Sequence, residues 1–101
     1  MSSGQISGAG GRYQISGELS FSTVNAVLAE SRETLFATRE PQLELDLGAV
    51  SRADSAGLAL LIQWLRMARA QQSEIRFLHL PQQLLAIART GELEALLPIA
   101  G

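Results

Sequence analysis

Residues 43–61, with the sequence LELDLGAVSRADSAGLALL, contain the strongest indication of the fold. At the start of this stretch leucine alternates with Glu44 and Asp46, which predicts a strand with one buried side that ends in a turn at Gly48. After a short connection, apolar residues recur at the spacing of a helix, which we predict from Ser55 to Gln71. A strand followed directly by a helix is typical of α/β folds.

The connection between these elements, Val50 to Asp54, leads into a short polar motif at the predicted start of the helix. The motif consists of Asp54, Ser55, Ala56 and Gly57. Side-chain oxygens at a helix N-terminus can accept hydrogen bonds from its first free amide groups, and glycine lets another backbone approach closely. The motif could therefore bind an anion, receive a phosphate or simply begin a helix. It lies at the carboxyl edge of a strand, where α/β folds often place their sites.

The flanking segments extend the alternation of strands and helices. Apolar residues at three- and four-residue steps, Leu19 and Phe21 among the first, predict a helix from Ser22 to Ala37. The other predicted elements are a hairpin from Ile6 to Ser16 with a corner at Gly10 and Gly11, a strand from Ile75 to Leu80, a helix from Pro81 to Gly91 and a helical segment from Glu92 to Leu97.

Helical crossovers between strands imply an α/β fold with a mixed β-sheet, covered mainly on one face by helices and preceded by the N-terminal hairpin. The length of 101 residues, with no linker or repeat, predicts one domain over residues 1–101.

Composition excludes several classes of function. The chain has 47% hydrophobic and 18% charged residues, a net charge of −2, no cysteine and one histidine. Disulfides, thiol nucleophiles and the usual structural zinc sites are therefore excluded, and the charge favours neither nucleic acid nor an anionic membrane surface as a partner. The N-terminus lacks a signal-peptide pattern, and no apolar run approaches membrane-spanning length. We expect a soluble cytoplasmic domain without metal, cofactor or membrane insertion.

Residues for catalysis are sparse. Ser55, Asp54 and His79 supply the residue types of a catalytic triad, but no G-x-S-x-G elbow surrounds Ser55, and His79 lies in an apolar strand context. The glycines within residues 8–11 lack the Gly-Lys-Ser/Thr ending of a phosphate-binding loop. The sequence therefore does not predict an enzyme.

The predicted second helix has two different faces. At 100° per residue its large apolar residues fall mainly on one arc, which we assign to the core. The opposite side carries Ser55, Ala59, Ile62, Gln63, Arg66 and Arg69, with Leu58 on its flank. Small and apolar side chains at the N-terminal end suit close docking of another protein, and the arginines at the far end could pair with acidic groups. Apolar surface residues are common, so simple exposure remains an alternative.

The stretch from Leu43 to Leu61 resembles the STAS domain, a family shared by sulfate transporters and anti-sigma-factor antagonists, and the similar segment runs to about Gln72. Among its branches, the chain is most similar to the stand-alone STAS proteins of the Mla phospholipid-transport system. The resemblance implies a non-enzymatic domain whose motif edge and following helix dock onto a nucleotide-handling partner. In the Mla-type branch that partner is the MlaF-like ATPase subunit of an ABC transporter, attached to a membrane permease. In the antagonist branch it is an anti-sigma kinase that phosphorylates a motif hydroxyl.

Ala56 distinguishes the two branches. Many antagonists carry their phosphate on a hydroxyl residue immediately before the glycine, where this chain has a methyl group. Ser55 matches the hydroxyl that the Mla-type proteins present to their ATPase, and phosphorylation of Ser55 is the alternative. The implied partner-binding residues are Asp54, Ser55, Ala56, Gly57, Leu58, Ala59, Ile62 and Arg66. We expect an accessory subunit that stabilises or activates the ATPase and lies peripheral to the inner membrane through it; pairing of two isolated copies stays open.

Overall fold

The computed structural model describes residues 4–93 and 97–98. The described elements are β1 (Gln5–Ala9), β2 (Arg12–Leu19), α1 (Val24–Glu33), β3 (Gln42–Ala53), α2 (Ser55–Ala70), β4 (Glu74–Leu78) and α3 (Gln82–Thr90). The strands form one sheet in the order β1-β2-β3-β4, in which β1 is antiparallel to β2 and the other two pairs are parallel. The predicted mixed sheet with an N-terminal hairpin is confirmed.

The corner of the hairpin lies at Gly10 and Gly11, as predicted. Both glycines have positive φ angles, 66° and 86°. Two-residue hairpin turns whose twist matches that of the strands need positive φ at both positions, which glycine adopts without steric cost.

The sheet has one apolar and one polar face because side chains alternate along each strand. Leu43, Leu45 and Leu47 of β3 are fully or almost fully buried beneath the helices. The other face carries charged residues in adjacent strands, and across it the Arg12 Nε lies 4.0 Å from a carboxylate oxygen of Glu44. The helices therefore cover mainly one face, as the sequence predicts.

β3 is longer than the predicted strand. The predicted turn at Gly48 is wrong, because β3 continues to Ala53 and its second half pairs with β2 alone, up to the pair Leu19↔Ala53. β4 ends opposite Asp46, so the later part of β3 has only one neighbouring strand and is mostly exposed. This explains why the leucine alternation stops early. The long strand also carries the motif to the end of β2.

α1 is shorter than predicted, and its first turn starts at Val24. Leu19 is the buried last residue of β2 rather than part of a helical face. The chain between them turns at Ser20, whose carbonyl accepts hydrogen bonds from the amides of Thr23 (2.9 Å) and Val24 (3.0 Å). The turn leaves Phe21 on the surface with 84% of its area exposed. The prediction that Leu19 and Phe21 belong to the apolar spacing of the helix is therefore wrong.

Trp64 joins α2 to α1 inside the core. Its side chain is fully buried, and the indole Nε1 donates to the Ser31 hydroxyl at 2.9 Å. That hydroxyl donates in turn to the Leu28 carbonyl at 2.6 Å. The pair satisfies a buried donor that would otherwise be costly.

The C-terminal part follows the prediction in its first elements. α3 begins directly after Pro81 and ends at Gly91, which is its C-cap residue. Residues 94–96 of the segment predicted from Glu92 to Leu97 lie outside the described residues. Within the described part of the chain, no helix has both the length and the apolar character needed to cross a membrane.

Candidate functional site

The DSAG motif lies where β3 ends and α2 begins, as predicted. Asp54 is the N-cap of α2, and its Oδ1 accepts a hydrogen bond from the Ala56 amide at 2.9 Å. The second oxygen, Oδ2, accepts from the amide of Phe21 at 3.1 Å. The backbone N–H of Asp54 donates to the Leu19 carbonyl at 3.2 Å. One residue therefore begins α2 and ties it to the turn after β2.

These hydrogen bonds favour the ionised form of the Asp54 carboxyl group. The Phe21 amide, followed by the amides of Ala56 and Gly57 and the nearby charge of Arg52, lowers the pKa of Asp54 below its ordinary value of 3.8. Asp54 is therefore ionised at neutral pH. It can accept hydrogen bonds and attract cationic groups, but it is not a proton donor.

Gly57 makes a close contact within the chain itself. A Cβ atom at this position would lie 2.6 Å from the carbonyl oxygen of Leu19. The small residue is thus needed for the packing of α2 on β2. Gly57 is buried against its own sheet, and its contact with a partner stays a prediction.

Leu58 also differs from the expectation that it borders an exposed surface. Only 4% of its area is accessible, because α3 packs along that flank of α2. The buried side of α2 therefore includes the flank that faces α3 as well as the side that faces the sheet. Leu58 still lines the groove between α2 and α3, and its contact with a partner stays a prediction.

Apart from Asp54, which is half-buried at the N-cap of α2, the remaining predicted partner-binding residues share one accessible surface. Ser55, Ala59 and Arg66 are exposed, and Ala56 and Ile62 are half-buried between them. We call these five residues the α2 surface. The N-terminal turns of α2 are thus uncovered by the described residues of this chain.

Two shallow apolar grooves border the α2 surface. The first, about 340 Å³ in volume, runs between α1 and α2 and is lined by Phe21, Val24, Asn25, Leu28, Ala56, Ala59, Leu60 and Gln63. We call it the α1–α2 groove. The second runs between α2 and α3 and includes Ala59, Ile62 and Ile87. Ala59 lines both grooves and therefore lies at the centre of the accessible region.

Phe21 is a surface residue that sequence reasoning missed. Among the described residues it is the one large apolar side chain that is exposed. A signal was present: Phe21 lies within the run Ser20-Phe21-Ser22-Thr23, whose hydroxyl residues favour a turn before a helix. A residue in such a turn does not continue the helical pattern that follows it.

Comparison with known proteins identifies the family. A family model described as "Mlab, STAS domain" matches residues 3–98. The chain belongs to the STAS family. No curated protein matches its sequence significantly.

Solved structures share the fold of this STAS domain. The anti-sigma factor antagonist SpoIIAA in its unphosphorylated form superposes with a TM-score of 0.73 at 18% identity, covering 98% of this chain and 89% of that one. An anti-sigma factor antagonist from Mycobacterium paratuberculosis gives a TM-score of 0.76 at 19% identity, covering 98% and 85%. A putative antagonist from Thermotoga maritima gives 0.76 at 11% identity, covering 95% and 84%. At these identities the likeness shows the fold alone.

The triad residue types of this STAS domain are not assembled as a triad. The His79 Nδ1 lies 3.1 Å from Oδ1 of Asp46, rather than beside Asp54 or Ser55. The Gly48 amide donates to the same Asp46 oxygen at 2.8 Å, and this hydrogen bond and the His79 side chain lower the pKa of Asp46. Over residues 4–93 and 97–98, no group of three His, Asp or Glu residues is placed to hold a metal ion.

Proposed function

We propose that this STAS domain is a non-catalytic accessory subunit that binds the ATPase of an Mla-type phospholipid ABC transporter. The observation that carries the proposal is the α2 surface, whose N-terminal residues Ser55 and Ala59 are exposed and small. Small side chains let a partner backbone come close, so such a surface favours tight packing over loose contact. In this proposal the domain is cytoplasmic and reaches the inner membrane through the ATPase and its permease.

The chemistry of the motif supports a lasting contact rather than a switch. Ala56 places a methyl group next to Ser55 and inside the α1–α2 groove. Burying apolar surface there contributes about 25 cal/mol per Å² removed from water. The match to a family model described as MlaB agrees with this branch of the family.

Charge supports a defined orientation of the partner. Asp54 lies at the N-terminal end of the α2 surface and Arg66 lies at its other end. At 1.5 Å per residue these groups are separated by about 18 Å along α2. A partner with a cationic group near Asp54 and an acidic group near Arg66 is favoured in one direction and repelled in the other.

The test is co-purification of the tagged domain with the ATPase subunit after replacement of Ala59 by arginine. The long charged side chain would fill the centre of the α2 surface, and we expect the ATPase to be lost from the complex. Gln14→Arg is the matched control, because Gln14 is exposed on β2, away from α2. Both variants should keep the thermal unfolding temperature of the wild type. Undiminished co-purification of a folded Ala59→Arg variant contradicts the proposal.

A second candidate function is that of an anti-sigma-factor antagonist regulated by phosphorylation of Ser55. Ser55 is exposed at the N-terminus of α2, and SpoIIAA, which shares the fold, was also solved in a phosphorylated form. A phosphate adds about −1.5 to −2 charge, which a helix N-terminus stabilises but the neighbouring Asp54 opposes. Incubation with the cognate kinase and ATP should then add one phosphate to the intact mass, and Ser55→Ala should prevent it. No mass change with an active kinase rules this function out.

A further inference from the structure

Phe21 is presented to solvent in a way that ordinary surface residues are not. Its ring is 84% exposed, although aromatic rings contribute some of the largest areas to protein cores and interfaces. It lies in the turn between β2 and α1, next to the motif. An exposed aromatic ring of this kind is well suited to insertion into a pocket of another protein.

The turn that carries Phe21 is held by hydrogen bonds on both sides. The Thr23 hydroxyl accepts from the Ser20 amide at 2.9 Å and donates to the Glu18 carbonyl at 2.7 Å. On the other side, the Asp54 carboxylate accepts from the Phe21 amide at 3.1 Å. Because the backbone is already fixed, little backbone conformational entropy remains to be lost when the ring binds.

Phe21 is continuous with the surface to which we assign ATPase binding. It lines the α1–α2 groove together with Ala56 and Ala59 of the α2 surface, and with Val24 and Leu28 of α1. A partner that covers Ala59 therefore also meets the aromatic ring.

The charges beside Phe21 indicate the character of the partner. Glu18, Asp54 and Arg52 line the cleft on the other side of the ring, so its acidic groups outnumber its basic group by two to one. The net negative charge of this cleft, beside an exposed ring, complements an apolar pocket that has arginine or lysine at its rim. The same arrangement disfavours a partner whose pocket is bordered by acidic residues.

We propose that Phe21 is the anchor of the ATPase interface and inserts into an apolar pocket of the ATPase with a basic rim. Asp54 is its positioning residue, since one carboxylate oxygen holds the Phe21 amide while the other caps α2. This inference rests on the proposed function and adds to it the residue that anchors the interface.

The first test measures the dissociation constant between the purified domain and the purified ATPase. Phe21→Ala should weaken binding by about 30-fold or more, as expected for an interface anchor. Its thermal unfolding temperature should stay unchanged, because the ring is exposed. Phe21→Leu, which keeps an apolar side chain, should recover part of the affinity. An unchanged dissociation constant for Phe21→Ala overturns the assignment.

The second test separates positioning from direct contact. Asparagine caps helices as well as aspartate does, but it has one acceptor oxygen instead of two. Asp54→Asn should therefore preserve α2 and release the Phe21 amide, and binding should weaken. In the Phe21→Ala background the same replacement should weaken binding less, because only the loss of the Asp54 charge then remains. If the two effects are additive, Asp54 acts independently of Phe21 and the positioning role is wrong.

The outcomes also distinguish this inference from the proposed function. If Ala59→Arg abolishes binding and Phe21→Ala does not, the ATPase docks on α2 without the anchor. If neither variant weakens binding, both proposals fail. If Phe21→Ala dissociates a homodimer, measured by light scattering after size-exclusion chromatography, and leaves the ATPase affinity unchanged, the occupant is a second copy of the domain and the inference is overturned.

Discussion

Replacement of Gly57 by alanine should destabilise this STAS domain, although alanine is the better helix former. Gly57 lies in the first turn of α2, where its missing side chain faces the carbonyl oxygen of Leu19. An added Cβ would lie 2.6 Å from that oxygen, which is several tenths of an ångström closer than such atoms approach in proteins. Either α2 or the end of β2 must move to accommodate it.

The change in the free energy of unfolding follows from two destabilising contributions and one stabilising contribution. Forcing one extra methyl group into a well-packed core costs about 1–3 kcal/mol. The same Leu19 carbonyl accepts the hydrogen bond from the Asp54 amide. Displacement of this carbonyl would also weaken that hydrogen bond, which contributes about 0.5–1.5 kcal/mol. The higher helix propensity of alanine stabilises the folded state by about 1 kcal/mol. We therefore expect a net loss of about 1–3 kcal/mol.

The assay is urea unfolding followed by the fluorescence of Trp64, which is the only tryptophan and is fully buried. Ala59→Gly provides the matched control, because Ala59 is exposed in the same helix and reports the propensity difference alone. The control should lose about 1 kcal/mol. If Gly57→Ala instead gains about the amount that the control loses, the close contact with β2 is unimportant and the packing argument is refuted.

Two further predictions concern side-chain hydrogen bonds. Ser31→Ala should lower the free energy of unfolding by about 1–3 kcal/mol, because the buried indole N–H of Trp64 loses its acceptor; an unchanged urea midpoint contradicts this. Asp54→Ala should cost about 1 kcal/mol at pH 7 through loss of the N-cap. The amides of Phe21 and Ala56 lower the pKa of Asp54 in the folded state, so its electrostatic contribution is present above the unfolded value near 3.8 and is lost as the pH falls through the folded-state pKa. Urea midpoints of the two proteins should therefore converge in acid, and a constant difference across pH contradicts the charge argument.

Local sequence patterns were sufficient for the elements and their order. The glycine pair at 10–11, the leucine alternation from Leu43 to Leu47 and the helical spacing after Ser55 each depend on residues that are close together in the chain. Backbone conformation and the alternation of buried and exposed positions respond directly to such short-range patterns. The position of the motif at the start of α2 followed for the same reason.

The accessible surface depended on elements that are distant in sequence. A helical pattern identifies the strongest apolar side of α2, but it does not reveal that α3 covers the neighbouring side and buries Leu58. The burial of Gly57 also depends on a distant element, since the backbone that approaches it belongs to β2 and lies nearly forty residues earlier in the chain.

The α/β class, the hairpin, the capped helix and the motif follow from local sequence, because each is encoded by neighbouring residues with a recognisable period or turn preference. Which side chains remain exposed depends instead on how the elements pack together. Phe21 is exposed because Asp54, thirty-three positions away, holds its turn at the surface. Burial is a property of all the elements that pack around a residue, and their relative placement arises only when the whole chain folds.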